Sequence, residues 1–149
     1  MTVRNLRDEI GRLLAERWPE HVICLERCPQ DIQRPGFLIQ TPAVSQKSAS
    51  FFALAVTVKF TITCLAQLDE GGEADRTELE ALQDGVLELF RAGFLRVGDR
   101  APKCEASAGG IDPDKALVDV QCSYWEERDL GAAQPAAMGE ISVNIKKEE

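Results

Sequence analysis

Apolar residues recur at helical spacing at the start of the chain. Leu6, Ile10, Leu13, Leu14 and Trp18 fall on one face, while Arg7, Asp8, Arg12, Glu16 and Arg17 cover the other. This predicts an amphipathic helix from Thr2 to Arg17. Thr2 offers a side-chain oxygen to cap its start, and Pro19 ends it by removing a donor and clashing with the preceding turn. The period then changes. His21–Glu26 and Gly36–Gln40 are short runs of β-formers separated by a loop containing Pro29 and Pro35. From Ser50 to Ala66 strict alternation sets in: Phe52, Leu54, Val56, Val58, Phe60, Ile62 and Cys64 against Ala53, Ala55, Thr57, Lys59, Thr61 and Thr63.

That third strand, unbroken, would reach about 50 Å at roughly 3.3 Å per residue, so it is expected to bend or to project past the body. Between it and the second strand, Pro42 and the polar run Ser45-Gln46-Lys47-Ser48 predict a hairpin tip. The acidic segment Asp69–Ala74 interrupts the strand pattern. Asp75-Arg76-Thr77-Glu78 then reads as a capping box for a second amphipathic helix, which carries Leu79, Leu82, Val86, Leu89 and Phe90 and stops at Gly93. Downstream, Phe94–Val97, Lys103–Ala108, Leu117–Trp125 and Glu140–Ile145 read as strands, the first of them short. Ala108–Asp114 and Gly131–Ala137 are the loops between them.

The order α-β-β-β-α-β-β-β, with strands running consecutively between two helices, favours hairpins over repeated parallel crossovers. The predicted class is therefore α+β, two helices packed on one face of a largely antiparallel sheet. A length of 149 residues and an apolar fraction of 44% suffice for one core, so a single domain over residues 1–149 is expected.

Charge narrows the choice of partners. A net charge of −8 removes the basic footprint of a protein that binds DNA tightly through phosphate neutralisation, although an acidic surface can border a DNA conduit without sticking to it. Without an apolar leader or a membrane-length apolar run, the expected location is the cytosol, with no membrane association. The cysteines, Cys24, Cys28, Cys64, Cys104 and Cys122, are odd in number and lack the paired close spacings of zinc ribbons, so reduced thiols are expected.

No motif for catalysis emerges. His21 is the one histidine available to activate any thiol, and its place after Pro19 fits a partly exposed strand-edge residue. Gly71-Gly72 and Gly109-Gly110 do not continue into a phosphate-loop lysine and hydroxyl, and read as turn glycines. Asp69, Glu70, Glu73 and Asp75 lack the alternating ligand order of a calcium loop. No cofactor, metal or catalytic residue is assigned, and the chain is expected not to be an enzyme. Tyr124-Trp125, at the end of a strand, can anchor a partner or pack in the core, the second being the commoner use of such residues.

The helix through Trp18-Pro19, the strand Val22–Glu26 and the segment Gln33-Arg34-Pro35-Gly36-Phe37-Leu38-Ile39 together resemble small phage and prophage tail-completion proteins of the tail-terminator type. The likeness continues through the long strand, the helix after the acidic loop, Tyr124 and Met138, and Arg34-Pro35-Gly36-Phe37 is its best local match. The resemblance implies a structural subunit that assembles into a homo-oligomeric ring, typically a hexamer, at the end of the tail tube. Its partners there are the tail tube and the head–tail connector proteins. The surface expected to join neighbouring copies comprises Pro42, Ser45 and Phe51 in the hairpin, with Tyr124 and Trp125. The competing expectation is a small cytosolic enzyme or ligand-binding domain whose pocket is assembled from dispersed residues.

Overall fold

The computed structural model describes residues 2–27 and 34–127, which contain two helices and five strands. Helix α1 spans Val3–Arg17. Thr2 and Asn5 cap it reciprocally: the Thr2 hydroxyl accepts from the Asn5 amide, and the Asn5 side chain accepts from the Thr2 amide. Leu6, Ile10 and Leu14 are buried, and Trp18 ends the helix half-buried. Helix α2 spans Arg76–Leu89. The Asp75 carboxylate accepts from the Thr77 amide at its start, and Gly93 takes a left-handed φ of 85° just beyond its end. The α+β class and the placement of both helices follow the sequence expectation.

Strands β1 (Val22–Leu25), β2 (Gly36–Ser50), β3 (Ala53–Leu65), β4 (Lys103–Asp112) and β5 (Lys115–Glu127) form one sheet in the order β1-β2-β3-β5-β4. The sheet is mixed. β4 and β5 pair antiparallel, whereas β1 pairs parallel to β2, with Ile23 opposite Phe37 and Leu25 opposite Ile39. The largely antiparallel expectation admits this one parallel pair, because residues 26–35 leave enough chain to return to the starting end of β1. The two-residue links at Phe51-Phe52 and Pro113-Asp114 are short enough to force antiparallel pairing, of β2 with β3 and of β4 with β5.

Three strand boundaries also differ from expectation. β2 runs straight through Pro42 and Ser45–Ser48, so the hairpin turn is not at that polar run but at Phe51-Phe52. Pairing with the strongly patterned β3 overrides the local turn propensity. β4 likewise continues through Gly109-Gly110 to Asp112, with a register shift between Ala108 and Ile111 that marks a bulge. Gly109 fits a close approach there, since a methyl on it would lie 3.0 Å from the Leu117 Cβ and 3.2 Å from the Leu117 carbonyl oxygen. Phe94–Val97 forms only isolated bridges, Phe94 to Lys103 and Val97 to Arg100. The expected strand Glu140–Ile145 lies outside the described residues.

The chain divides into two compact units. The first comprises Met1–Ser45 and Thr57–Tyr124; the described part of the second comprises residues 46–56 and 125–127. In the first unit, α1 lies over β1 and the face of β2 that carries Phe37 and Ile39. A methyl on Gly11 would touch Ile23, Leu25 and Ile39 at 3.8 Å. Trp18 joins the two helices on this face, its ring 5.0 Å from Phe37 and against Gly85 of α2. The alternation along β3 places Val56, Val58, Phe60 and Ile62 in the core, all at most 2% exposed, while Lys59 is exposed and Thr57 and Thr61 are half-buried.

Polar tethers fix the layers. The buried Gln83 amide on α2 donates to the carbonyls of Gly109 (3.2 Å) and Leu117 (2.8 Å). Arg34 donates to the carbonyls of Ala66 and Asp114, at 3.2 and 2.8 Å, and thereby binds the chain after β3 to the β4–β5 turn. Glu26, in the left-handed region at φ 66°, accepts from Arg7 of α1 and from both the amide and the hydroxyl of Thr41 on β2. Burial alone would raise the Glu26 pKa, but these hydrogen bonds outweigh it and hold the carboxyl below its ordinary range.

Candidate functional site: exposed aromatics and an open sheet face

A two-residue hairpin loop ordinarily recruits Asn-Gly or Gly-containing pairs, because the turns that match strand twist need positive φ. This one is Phe51-Phe52, and neither residue takes positive φ. The turn is closed instead by Ser50, whose hydroxyl accepts from the Phe52 amide at 3.2 Å. The two rings meet edge to face with centroids 5.0 Å apart, and are 69% and 68% exposed. Turn chemistry supplies no reason for two aromatic side chains here. Large exposed aromatics are what contact surfaces use to gain buried area at low entropic cost.

Trp125, 67% exposed, belongs to the same unit as this turn. Its neighbour Tyr124 obeys the strand alternation and lies in the core at 8% exposure, with the Arg100 guanidinium 5.6 Å from its ring centre. Within the single chain Tyr124 therefore takes the commoner of its two expected placements, in the core and not on the contact surface. Pro42 and Ser45 are exposed on β2. Of the five expected contact residues, the structure thus leaves Pro42, Ser45, Phe51 and Trp125 on the surface.

Pro42 also borders an open cavity of about 450 Å³ within the first unit, on the sheet face opposite the helices, beside Lys59, Thr61, Glu105, Asp119 and Gln121. Thr61 donates to the Asp119 carboxylate at 3.3 Å, and Lys103 pairs with Glu105 at 3.4 Å. The face is polar and of mixed charge. Among the described residues, no group of three or more His, Cys, Asp or Glu side chains is placed to hold a metal ion. Cys24, Cys64, Cys104 and Cys122 are not disulfide-bonded, and Cys28 lies outside the described residues. Burial pushes the Cys64 thiol up to about 12, so it stays a protonated core group. In the acidic loop, the Asp69 carboxylate accepts from the amides of Gly71 and Glu73 and thus organises the turn. No described helix is long and apolar enough to cross a membrane.

No family model or curated protein matches the chain.

His21 is half-buried against Phe37, with ring centroids 5.2 Å apart, and neither ring nitrogen has a hydrogen-bond partner in the protein. Burial lowers its pKa below 6.5, opposed by the nearby carboxylates of Glu78 and Glu20. The unfolded chain therefore takes up the proton first, and stability is expected to fall as pH drops below about 6.5, levelling off once the folded-state pKa is passed. Urea titrations between pH 7.5 and 5.5 check this. His21→Phe should flatten the slope in that window, and an unchanged slope would rule His21 out as its source. The Glu26 contribution has its own window. It is present above the ordinary carboxylate pKa and is lost at more acidic pH, as Glu26 protonates in the folded state.

Proposed function

We propose that this chain is a non-enzymatic structural protein of a tailed phage or prophage. In this reading it is a tail-terminator-like subunit that closes into a ring, of six copies by the family resemblance, at the end of the tail tube and prepares the head–tail joint. The observation that carries the reading is the Phe51-Phe52 turn, where two large aromatic side chains stand exposed with no part in turn formation. The exposed Trp125 and the open polar sheet face add surface of the kind a neighbour covers. Ring closure needs a heterologous contact, one patch of each copy against a different patch of the next. The acidic composition agrees with a subunit that borders passing DNA without holding it.

Mass photometry of the purified chain, alone and mixed with tail tubes, tests the reading. Rings are expected in at least the second condition. Phe51→Asp should abolish them while the thermal unfolding midpoint stays within a few degrees of the parent. A chain that remains monomeric at high concentration and on tail tubes would sink the proposal.

A second reading rests on the 450 Å³ cavity, which falls within the size range of ligand sites. On that reading the chain is a small-molecule binder. A metabolite thermal-shift screen in which Lys59→Ala and Asp119→Ala remove the response would favour it over the ring.

A further inference from the structure

Cys104 and Cys122 are separated in sequence but directly opposite each other on the antiparallel pair β4–β5. The position within the ladder matters, because residues opposite each other alternate between hydrogen-bonded pairs and closer, non-hydrogen-bonded ones. The Cys104 amide donates to the Gly93 carbonyl at 2.9 Å, away from β5. This is therefore a non-hydrogen-bonded pair, whose Cα atoms ordinarily sit about 4.5 Å apart, inside the range of roughly 4.4–6.8 Å that a disulfide bridges. Both side chains point into the core, at 1% and 0% exposure, and the two sulfurs are in contact at 2.8 Å.

We propose that Cys104 and Cys122 form a redox pair, which a hydroperoxide oxidises to a cross-strand disulfide stapling β4 to β5. The two thiols have different roles. The hydrogen bond from Cys122 favours the Cys104 thiolate against the opposing effect of burial, while the same bond, together with burial, keeps Cys122 protonated. The Cys104 thiolate attacks one peroxide oxygen, breaks the O–O bond and becomes a sulfenic acid, with hydroxide leaving and taking up a proton. The Cys122 sulfur then attacks the sulfenic sulfur, giving up its proton as the second hydroxide leaves. Two thiols and one hydrogen peroxide yield one disulfide and two waters.

Access comes from the position in the sheet. β4 is the last strand, Cys104 is its second residue, and what covers this edge is the short segment Gly93–Leu95, joined to β4 by isolated bridging and not by a further strand. Local opening at such an edge admits a molecule as small as peroxide. Of the other described thiols, Cys64 is buried on β3 and Cys24 lies on β1 at the far edge of the sheet, so neither is next to the Cys104–Cys122 pair. The inference is independent of the assembly role.

The test treats the folded full chain with hydrogen peroxide, alkylates all thiols in denaturant and maps peptides without reduction. The expected result is a chain lighter by about 2 Da before alkylation, one linkage between the Cys104 and Cys122 peptides, a higher thermal midpoint and full reversal by a dithiol. In Cys122→Ser, a 1,3-dione probe should label Cys104 as the trapped sulfenic acid, whereas Cys64→Ser should leave the linkage intact. The wild-type map needs no variant to fold. Full alkylation of Cys104 and Cys122 after peroxide treatment, or a linkage through another cysteine, would overturn the proposal.

Discussion

Replacing Phe60 with alanine is expected to lower stability by about 3–5 kcal/mol, through the burial lost and the cavity left behind. The residue is 1% exposed in β3, the central strand of the sheet, with Val58 and Ile62 on the same face at 0%. A site flanked on both sides by hydrogen-bonded strands cannot relax into the void as a loop would, so the cost should fall in the upper part of the range. Against a total stability of about 5–15 kcal/mol for a domain this size, that loss is large enough to unfold a fraction of the chain at 37 °C. Lys59→Ala, one position along and on the opposite face, should change stability by less than about 0.5 kcal/mol. Urea denaturation measures both variants, and the m-value should stay constant if only the native packing has changed. A near-zero effect at Phe60 would mean that the register of β3 is displaced by one residue.

The contrast between these neighbours shows what was legible in the sequence. Period-2 alternation along β3 and period-3.6 patterning along α1 and α2 are local signals, and each gave the buried face correctly: Leu6, Ile10 and Leu14, then Val58, Phe60 and Ile62, then Leu79, Leu82 and Val86. Cys64 was readable as a core thiol for the same reason. Features set by pairing between distant segments were not readable. The parallel union of β1 with β2 depends on a chain reversal, not on the composition of either strand. Pro42 and the serine-rich run carry strong turn propensity, yet the ladder with β3 holds them in an extended strand.

The surface residues divide in the same way. Strand alternation separates Trp125 from Tyr124, but which of the two faces outward depends on the register of β5, and the sequence gives that only through its apolar neighbours Val118, Val120 and Cys122. Reading those even-numbered positions as the core would have put Tyr124 inside. The opposition of Cys104 and Cys122 has no local signature, since it requires the β4–β5 register and the bulge between Ala108 and Ile111. The tethering roles of Gln83 and Arg34 were not readable, because the carbonyls they satisfy lie on other elements.

Gly85 is the least obvious of these positions, and it leads to the second large expected effect. A glycine inside a helix costs about 1 kcal/mol relative to alanine, so Gly85→Ala judged on α2 alone should be stabilising. The fold reverses that sign. A methyl at Gly85 would lie 2.7 Å from the Trp18 Cζ2 and 3.0 Å from its Cη2, and the ring is also held against Phe37 and the Arg17 guanidinium, 5.0 and 4.9 Å from its centre. Overpacking of this kind costs about 1–3 kcal/mol, which exceeds the propensity gain. Gly85→Ala should therefore destabilise by roughly 1–2 kcal/mol, and Gly85→Leu, which drives a whole side chain into the ring, by about 3 kcal/mol or more. The decisive measurement is a double-mutant cycle with Trp18→Ala. With the indole gone, Gly85→Ala should become stabilising by up to about 1 kcal/mol, as its helix propensity requires. A Gly85→Ala effect of the same sign and size in both backgrounds would show that the glycine is not there to admit the tryptophan, and would leave the close approach of α2 to Trp18 without energetic consequence.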